Sequence, residues 1–393
     1  MYMKIAIVGC GIAGTAAGIL LSRQGHEVTI FEQAQHCGPV GAGIIIQPIG
    51  QSVLKSLGVY EDIYRQSARL NYIEARKHSG KRLIHLEYQR LKTDLYGLGV
   101  HRGRLFSSLL SLAKQVGAMI QENAHIVDYH NSNAGVSLEL QSKEQTESFD
   151  FIIATDGARS GLRSASGIAH QTVEYQYGAL WATGACSAIK DRLFQVVEGT
   201  KKLAGLLPIG NEECSFFWGL TASQFAKYQQ QGIDVWKNEV LRLCPQSEEL
   251  VTRLSSFEEL TFTTYRSVSM KSWWSDRIIF LGDAAHPTSP HLGQGANLAL
   301  EDVWAFSKCL KQETDFHAAC LVYESLRKRK IRFYQQMTRW LTPFFQSDGV
   351  IKGWGRDRFL PVMSQTPILR EQMLKTLCGF KVGWMKSQMS NDD

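Results

Sequence analysis

Lys4-Ile5-Ala6-Ile7-Val8-Gly9-Cys10-Gly11-Ile12-Ala13-Gly14 is the stretch that decides the fold of this 393-residue chain. Residues 4–8 form a short, mostly apolar run of strand length. The run stops at Gly-x-Gly-x-x-Gly, and residues 12–24, rich in Ala and Leu, then read as a helix. Gly9 permits the tight turn, Gly11 lets the backbone approach a diphosphate, and Gly14 lets the helix pack close to the strand. Ile12 and Ala13 begin a helix whose unpaired N–H groups attract an anion. Val28-Thr29-Ile30-Phe31 reads as a second strand. It ends at Glu32, eighteen residues after Gly14, where an acid can bind ribose hydroxyls. The reading is a βαβ unit with a dinucleotide site; the alternative is a tight turn with no ligand.

A second ligand-directed turn lies far along the chain. The apolar run Arg277-Ile278-Ile279-Phe280-Leu281 ends abruptly in Gly282-Asp283-Ala284-Ala285-His286-Pro287. A loop stiffened by Pro287 and Pro290 follows, then Gly293-Gln294-Gly295-Ala296-Asn297. Ala299, Val303, Phe306 and Leu310 give the next helix an apolar stripe. Asp150–Thr155 is another buried strand with a polar end, Asp156-Gly157. In open α/β sheets, ligands sit outside the carboxyl ends of the strands. Leu105, Leu109, Leu112 and Val116 mark one face of a helix that follows Arg102.

Between 170 and 272 the pattern changes to alternating, aromatic-rich segments such as Leu180–Gly184 and Ser215–Leu220, which predict an antiparallel sheet. Residues 72–76 and 82–87 read as a hairpin turning at His78–Lys81, and a Gly-rich loop spans Gly38–Gly43. After about 317 the chain reads as mostly helical. The expected division is a discontinuous nucleotide-binding domain (1–71, 100–169 and 273–330), a substrate-binding sheet domain (72–99 and 170–272) and a C-terminal helical region (331–393).

Composition narrows the function classes. Hydrophobic residues make up 44% and charged residues 20%, as in a globular protein with ample core. A net charge of +6 with scattered cations argues against nucleic acid. The densest basic run, Arg327-Lys328-Arg329-Lys330, reads as a solvated helix face, with an anion or membrane patch as the alternative. The eight cysteines form no C-x-x-C pair and no Cys/His cluster, so no metal is expected and a reducing, cytoplasmic compartment fits. No stretch is long and apolar enough to span a membrane. The glycines at 9, 11 and 14 argue against a signal peptide.

With both turns in hand, the chain resembles the class A FAD-dependent aromatic monooxygenases, the family of p-hydroxybenzoate and salicylate hydroxylases. The resemblance covers roughly residues 3–340 and rests on four motifs in order: the N-terminal glycine motif with Glu32, Arg102-x-x-Leu105, Asp156-Gly157, and Gly282-Asp283-Ala284-Ala285-His286-Pro287. It implies an α/β fold in which a Rossmann-type FAD-binding domain is interrupted by an antiparallel substrate sheet and followed by helices. It also implies that Glu32 holds the adenosine ribose, with Gln33 beside it where many members carry Arg or Lys. Arg102 lies near the pyrophosphate and Asp283 binds the ribityl or ribose part. Asp156, Gly157 and Ser160, completed by Arg163, form the shared FAD/NAD(P)H motif. Gly41–Ile44, with Gly43 and Ile44, lies alongside the isoalloxazine. Gly293–Asn297 approaches the ring, where a positive helix end favours reduced flavin.

The implied reaction is hydroxylation of a small, phenol-like aromatic. NADH or NADPH binds transiently, O2 is consumed, and a flavin C4a-hydroperoxide transfers oxygen. His291 could polarise a substrate hydroxyl or be an exposed loop histidine. Trp181, Phe216 and Trp218 are pocket-wall candidates, with core packing as the alternative; alternation puts Phe216 and Trp218 on one face and Phe217 on the other. The aromatic C-terminal region is expected either to cap the pocket, to form an interface or to touch a membrane peripherally. The oligomeric state is not legible. A halogenase is argued against because Trp273-Trp274 lacks the W-x-W-x-I-P spacing. A FAD-dependent reductase or dehydrogenase of the same fold, or a FAD-binding protein without oxygen chemistry, are the alternatives.

Overall fold

A computed structural model describes residues 2–38, 41–347 and 349–388. Pro39 and Val40 of the expected glycine-rich loop, and the last five positions of the expected C-terminal region, lie outside them. Lys4–Val8 is the central strand of a six-stranded sheet, flanked by Glu27–Phe31 on one side and Phe151–Ala154 on the other, all parallel. Ile278–Phe280 continues the parallel order beside Phe151–Ala154, and Met119–Gln121 closes the opposite edge. The four strands Lys4–Val8, Glu27–Phe31, Phe151–Ala154 and Ile278–Phe280 are largely buried, as their apolar runs predict, whereas the edge strand Met119–Gln121 is partly exposed. The helices Ile12–Arg23 and Gly295–Gln312 pack on each other over this sheet.

The middle of the chain forms a seven-stranded sheet in the order Thr261–Met270, His170–Ala185, Glu213–Thr221, Lys202–Gly210, Arg192–Glu198, Tyr72–Lys77, Arg82–Glu87. It is antiparallel except where Arg192–Glu198 pairs with Tyr72–Lys77. The early hairpin therefore joins strands more than a hundred residues away. Gly97–His101 pairs instead with Gly43–Ile46 and Ala68–Leu70 in a small sheet between the two large ones.

The segment 170–272 is not all sheet. Helices Ala222–Gln231 and Ile233–Leu243 lie between its strands. The first begins at a reciprocal cap, in which Thr221 accepts from Gln224 N–H and the Gln224 side chain accepts from Thr221 N–H. The second carries Trp236, Val240 and Leu243 against the sheet. This covered face takes the side chains of Phe216 and Trp218.

The C-terminal part is helical through Leu377, in Phe316–Phe345, Val350–Gln365 and Pro367–Leu377. Residues 381–387 close an isolated bridge rather than a further helix.

Candidate flavin and substrate site

The glycine turn is shaped by its neighbours. Gly9 has φ +101°, and a Cβ there would meet the Thr155 carbonyl at 2.5 Å. A Cβ on Gly14 would drive into the Gly9 carbonyl oxygen. Gly11 is different: its φ is −84°, and a Cβ would meet nothing within 4 Å. The protein itself does not require glycine at 11, and the space beside it is open. The helix Ile12–Arg23 has no side-chain cap, which leaves its first N–H groups open toward that space. The Glu32 carboxylate reaches back to this turn, accepting from Cys10 N–H at 2.8 Å and Ala34 N–H at 3.0 Å. Gln33 beside it is exposed.

The second turn repeats the pattern. Gly282 has φ +59°, and a Cβ there would lie 2.9 Å from Ala299 Cβ and 3.7 Å from Ala13 Cβ. The two turns, nearly three hundred residues apart, are thus in contact distance. Asp283 is exposed at the mouth of the turn. Gly293 takes a left-handed φ of +60° after the Pro290–Leu292 turn. A Cβ on Gly295 would find only Asp283 Oδ1, at 4.0 Å, and the helix Gly295–Gln312 is also without a side-chain cap. Two open helix N-termini and two glycines with vacant Cβ space converge at the carboxyl ends of the parallel strands. A long ligand carrying a diphosphate fits that arrangement.

Other expected residues hold the frame. Asn297 Oδ1 accepts from Gln47 N–H at 2.8 Å, and its Nδ2 donates to Ile45 O at 3.0 Å and Gly293 O at 2.9 Å. It fastens the strand Gly43–Ile46, with Gly43 and Ile44, to the Gly293 turn; its amide is fully engaged by protein. Gln294 Nε2 donates to Leu377 O at 2.6 Å, tying the turn to the last helix, while Ala296 stays half-exposed. Arg163 is buried and donates to Ala284 O at 2.7 Å and Ala158 O at 2.9 Å, bridging the Asp156-Gly157 loop to the Gly-Asp turn. Among the described residues Asp156 Oδ1 is buried without a partner, and burial pushes its carboxyl above the usual range. Such an orphaned acceptor is what a hydroxyl-bearing ligand would satisfy. Arg102 is exposed and lies against Gly41.

The basic run is not a solvated face. Arg327 and Lys330 are buried, whereas Arg329 is exposed and Lys328 half-buried. Residues three apart on a helix share a face, so one pair turns inward. Arg327 donates from Nε to Asp302 Oδ1 at 2.8 Å and lies 2.6 Å from Glu301; Lys330 Nζ also lies 2.6 Å from Glu301. Asp302 Oδ2 accepts from Gly282 N–H at 3.2 Å and meets His286 Nε2 at 2.6 Å. Burial works to raise the Asp302 carboxyl, but His286 and Arg327 win and hold it below the ordinary carboxylate range. This network underlies the Gly-Asp turn. One sequence signal could have revealed it: Glu301-Asp302 adjoins an apolar stripe and needs cations from elsewhere.

The pocket-wall expectation needs correction. Phe216 and Trp218 point away from Gly43, into the core formed with Trp236 under the two inserted helices. Alternation then turns Ser215 and Phe217 toward the cleft, and a Cβ on Gly43 would strike Ser215 Cβ. Trp181, paired with Phe217 in register and 5.5 Å from its ring, shares that face. His291 is half-buried between the Tyr265 and Phe345 rings, at 6.3 and 6.2 Å, so it is not a free loop histidine. Burial lowers its imidazole to about 4, leaving it neutral at pH 7.

The family model described as FAD binding domain matches residues 2–340. The 3-hydroxybenzoate 6-hydroxylase of Klebsiella oxytoca is 26% identical over 379 residues, spanning 88% of this chain and 90% of the relative. The 3-amino-4-hydroxybenzoate 2-monooxygenase of Streptomyces cremeus is 28% identical, spanning 88% and 89%. The structure of Klebsiella pneumoniae HpxO complexed with FAD and uric acid superposes with a TM-score of 0.82 at 21% identity, covering 96% of this chain and 97% of the other; that likeness is one of fold.

Proposed function

The chain belongs to the FAD-binding-domain family of class A aromatic monooxygenases and is a FAD-dependent flavoprotein enzyme, and from that premise we propose that it uses NADH or NADPH and O2 to hydroxylate a small phenolic or heteroaromatic substrate. The observation that carries this reading is the meeting of two uncapped helix N-termini, at Gly11 and Gly295, over a buried parallel sheet. When bound, FAD supplies the redox chemistry and the activation of O2. The chain's residues bind, orient and exclude water. In this assignment Gly9, Gly11, Ile12, Ala13 and Gly14 receive the diphosphate, with Arg102 nearby. Glu32 and Gln33 flank the ribose, and Asp283 meets the ribityl side. Asp156, Gly157 and Arg163 complete the loop facing it. Gly43, Ile44, Pro290 and the backbone of Gly293–Asn297 border the ring. The domain division follows: the seven-stranded sheet is the substrate domain.

The test is direct. Purified protein should be yellow and should couple aromatic-stimulated NAD(P)H oxidation to O2 uptake and a product heavier by one oxygen. NAD(P)H oxidation with a reduced product and no oxygen gain would favour the reductase alternative. A colourless protein that takes up no FAD would remove the reading.

A specific observation also supports peripheral membrane contact in the last helices. Among the described residues no helix is long and apolar enough to cross a membrane. Yet Ile351, Trp354, Phe359 and Val362 are 83, 60, 66 and 59% exposed. Residues 320–388 also hold thirteen Lys and Arg against four Asp and Glu. Apolar side chains outward with cations beside them suit an anionic lipid surface. Salt-sensitive sedimentation with anionic vesicles is the expected result; equal recovery with and without vesicles removes the idea. The eight reduced cysteines are consistent with a cytoplasmic setting.

A further inference from the structure

The cleft beside Gly43 carries its own account of what it accepts. One wall is the sheet face that presents Leu203, Leu207, Ser215, Phe217 and Trp181. On that face of the strands Lys202–Gly210 and Glu213–Thr221, Glu213 is the single charged side chain among the described residues, and Arg104 pairs with it.

His291 and Gln346, the latter packed on the sheet at Gly178 and Gly219, stand at the far end from Gly43, and their proton inventory can be worked out. Thr342 donates its only hydroxyl proton to Thr338 O at 2.7 Å, so its oxygen can only accept. Ser289 Oγ lies 2.8 Å from Thr342 Oγ1, and the proton between them must come from Ser289. His291 Nδ1 lies 3.0 Å from Ser289 Oγ and 3.3 Å from Thr342 Oγ1, and neither oxygen has a proton left for it. Nδ1 therefore carries the hydrogen and donates. Because the ring is neutral, Nε2 is a bare acceptor.

Gln346 is fixed by the same logic. Its amide lies 3.0 Å from Gly178 O, which only accepts, so Nε2 faces that carbonyl. Among the described residues Oε1 is left buried with no partner. Gln346 follows Phe345, whose ring lies 6.2 Å from the imidazole, and lies one helical turn beyond Thr342, whose Oγ1 is 3.3 Å from His291 Nδ1. Tyr265 completes this end of the cleft, and burial raises its phenol so that the hydroxyl stays neutral.

We propose that His291 Nε2 and Gln346 Oε1 form a paired acceptor site that selects an uncharged aromatic presenting two neighbouring donors, a hydroxyl beside an amine or ring N–H, and discriminates against carboxylates. The proposal rests on the monooxygenase reading, since it assigns the substrate of that same cleft. A carboxylate placed against these two atoms would set lone pairs against lone pairs. A donor pair would instead satisfy the orphaned Gln346 oxygen, and the hydroxyl given to His291 would become more electron-rich at the ring. A site built on hydrogen bonds rejects analogues that lack them far better than an apolar pocket rejects size.

The experiment compares 2-aminophenol, salicylate and phenol on the holoenzyme, with binding read from perturbation of the flavin spectrum. 2-Aminophenol and salicylate differ at one substituent, a donor exchanged for a carboxylate. 2-Aminophenol should bind at least about tenfold tighter than salicylate. Gln346→Leu should weaken 2-aminophenol about fivefold to tenfold while leaving phenol nearly unchanged. The wild-type comparison needs no variant, so a poorly folding Gln346→Leu protein does not shield the idea. Salicylate binding as tightly as 2-aminophenol, or a holoenzyme that does not distinguish them, overturns it. A yellow enzyme that oxidises NAD(P)H but prefers salicylate defeats this inference alone; a colourless protein defeats the monooxygenase reading with it.

Discussion

The two turns that meet at the proposed flavin site are built on different physics. The first, Gly9–Gly14, is held by steric fit: at Gly9 and Gly14 a Cβ would collide with backbone carbonyls, and the shape follows from the absence of side chains. The second, Gly282–Asp302, is held by buried charge: Asp302 accepts from Gly282 N–H, meets His286 Nε2 and pairs with Arg327, with Glu301 and Lys330 alongside. The steric turn tolerates no added atom at Gly9 or Gly14. An electrostatic turn is assembled from a helix that begins about thirty residues later, and it depends on protonation.

The largest break should come at Gly14. Gly14→Val forces a branched side chain into the Gly9 carbonyl and Thr155 Oγ1. It should abolish soluble, FAD-loaded protein, read as flavin content after purification. Normal yield and colour would show that the first turn is not sterically set.

Next in size is Asp302→Ala, which leaves buried Arg327 to share Glu301 with Lys330 and takes the acceptor from His286 and Gly282 N–H. Removing one member of a buried pair costs about 3–5 kcal/mol, seen as a large drop in the urea midpoint. Asp302→Asn sharpens the point through pH. The folded carboxyl is depressed, so its contribution is fully present above the unfolded value near about 4 and is lost as pH falls below it. Thermal midpoints measured from about pH 6 to 3 should fall more steeply in wild type than in Asp302→Asn. Parallel curves would mean that the ion network does not stabilise the second turn.

Asp283→Ala should leave the apoprotein's stability nearly unchanged, since the side chain is exposed, but weaken FAD affinity by about tenfold or more, the scale of one strong hydrogen bond. Gly11→Ala is the smallest change to the fold and the most selective. With no protein atom in its way, it should shift apoprotein stability by less than about 0.5 kcal/mol while reducing FAD uptake. A variant that binds FAD normally would show that the space at Gly11 is not for the cofactor.

How much of this could be read in advance differs between the same two regions. The strand Lys4–Val8, the glycine turn and Glu32 were legible because their constraints lie within about thirty neighbouring residues. The Gly282-Asp283 turn was legible as a ligand-facing turn. Its foundation was not, because Arg327 and Lys330 look like any surface basic run until the helix packs against Glu301 and Asp302. The pocket wall shows the same limit. Alternation correctly separated Phe217 from Phe216 and Trp218, yet it could not say which face met the cleft. That depended on Ala222–Leu243 folding back as helices behind the sheet.

By itself, then, the sequence determined the parallel nucleotide-binding sheet and its two glycine turns, because these follow from backbone freedom and the period of apolar residues over short spans; the class of cofactor came from the resemblance that the four motifs carry. Only the tertiary structure decided which aromatics face the cleft, which cations are buried, and how protons are distributed over Ser289, His291, Thr342 and Gln346. Those are properties of partners brought together from distant parts of the chain, and burial is what gives each hydrogen bond and charge its consequence.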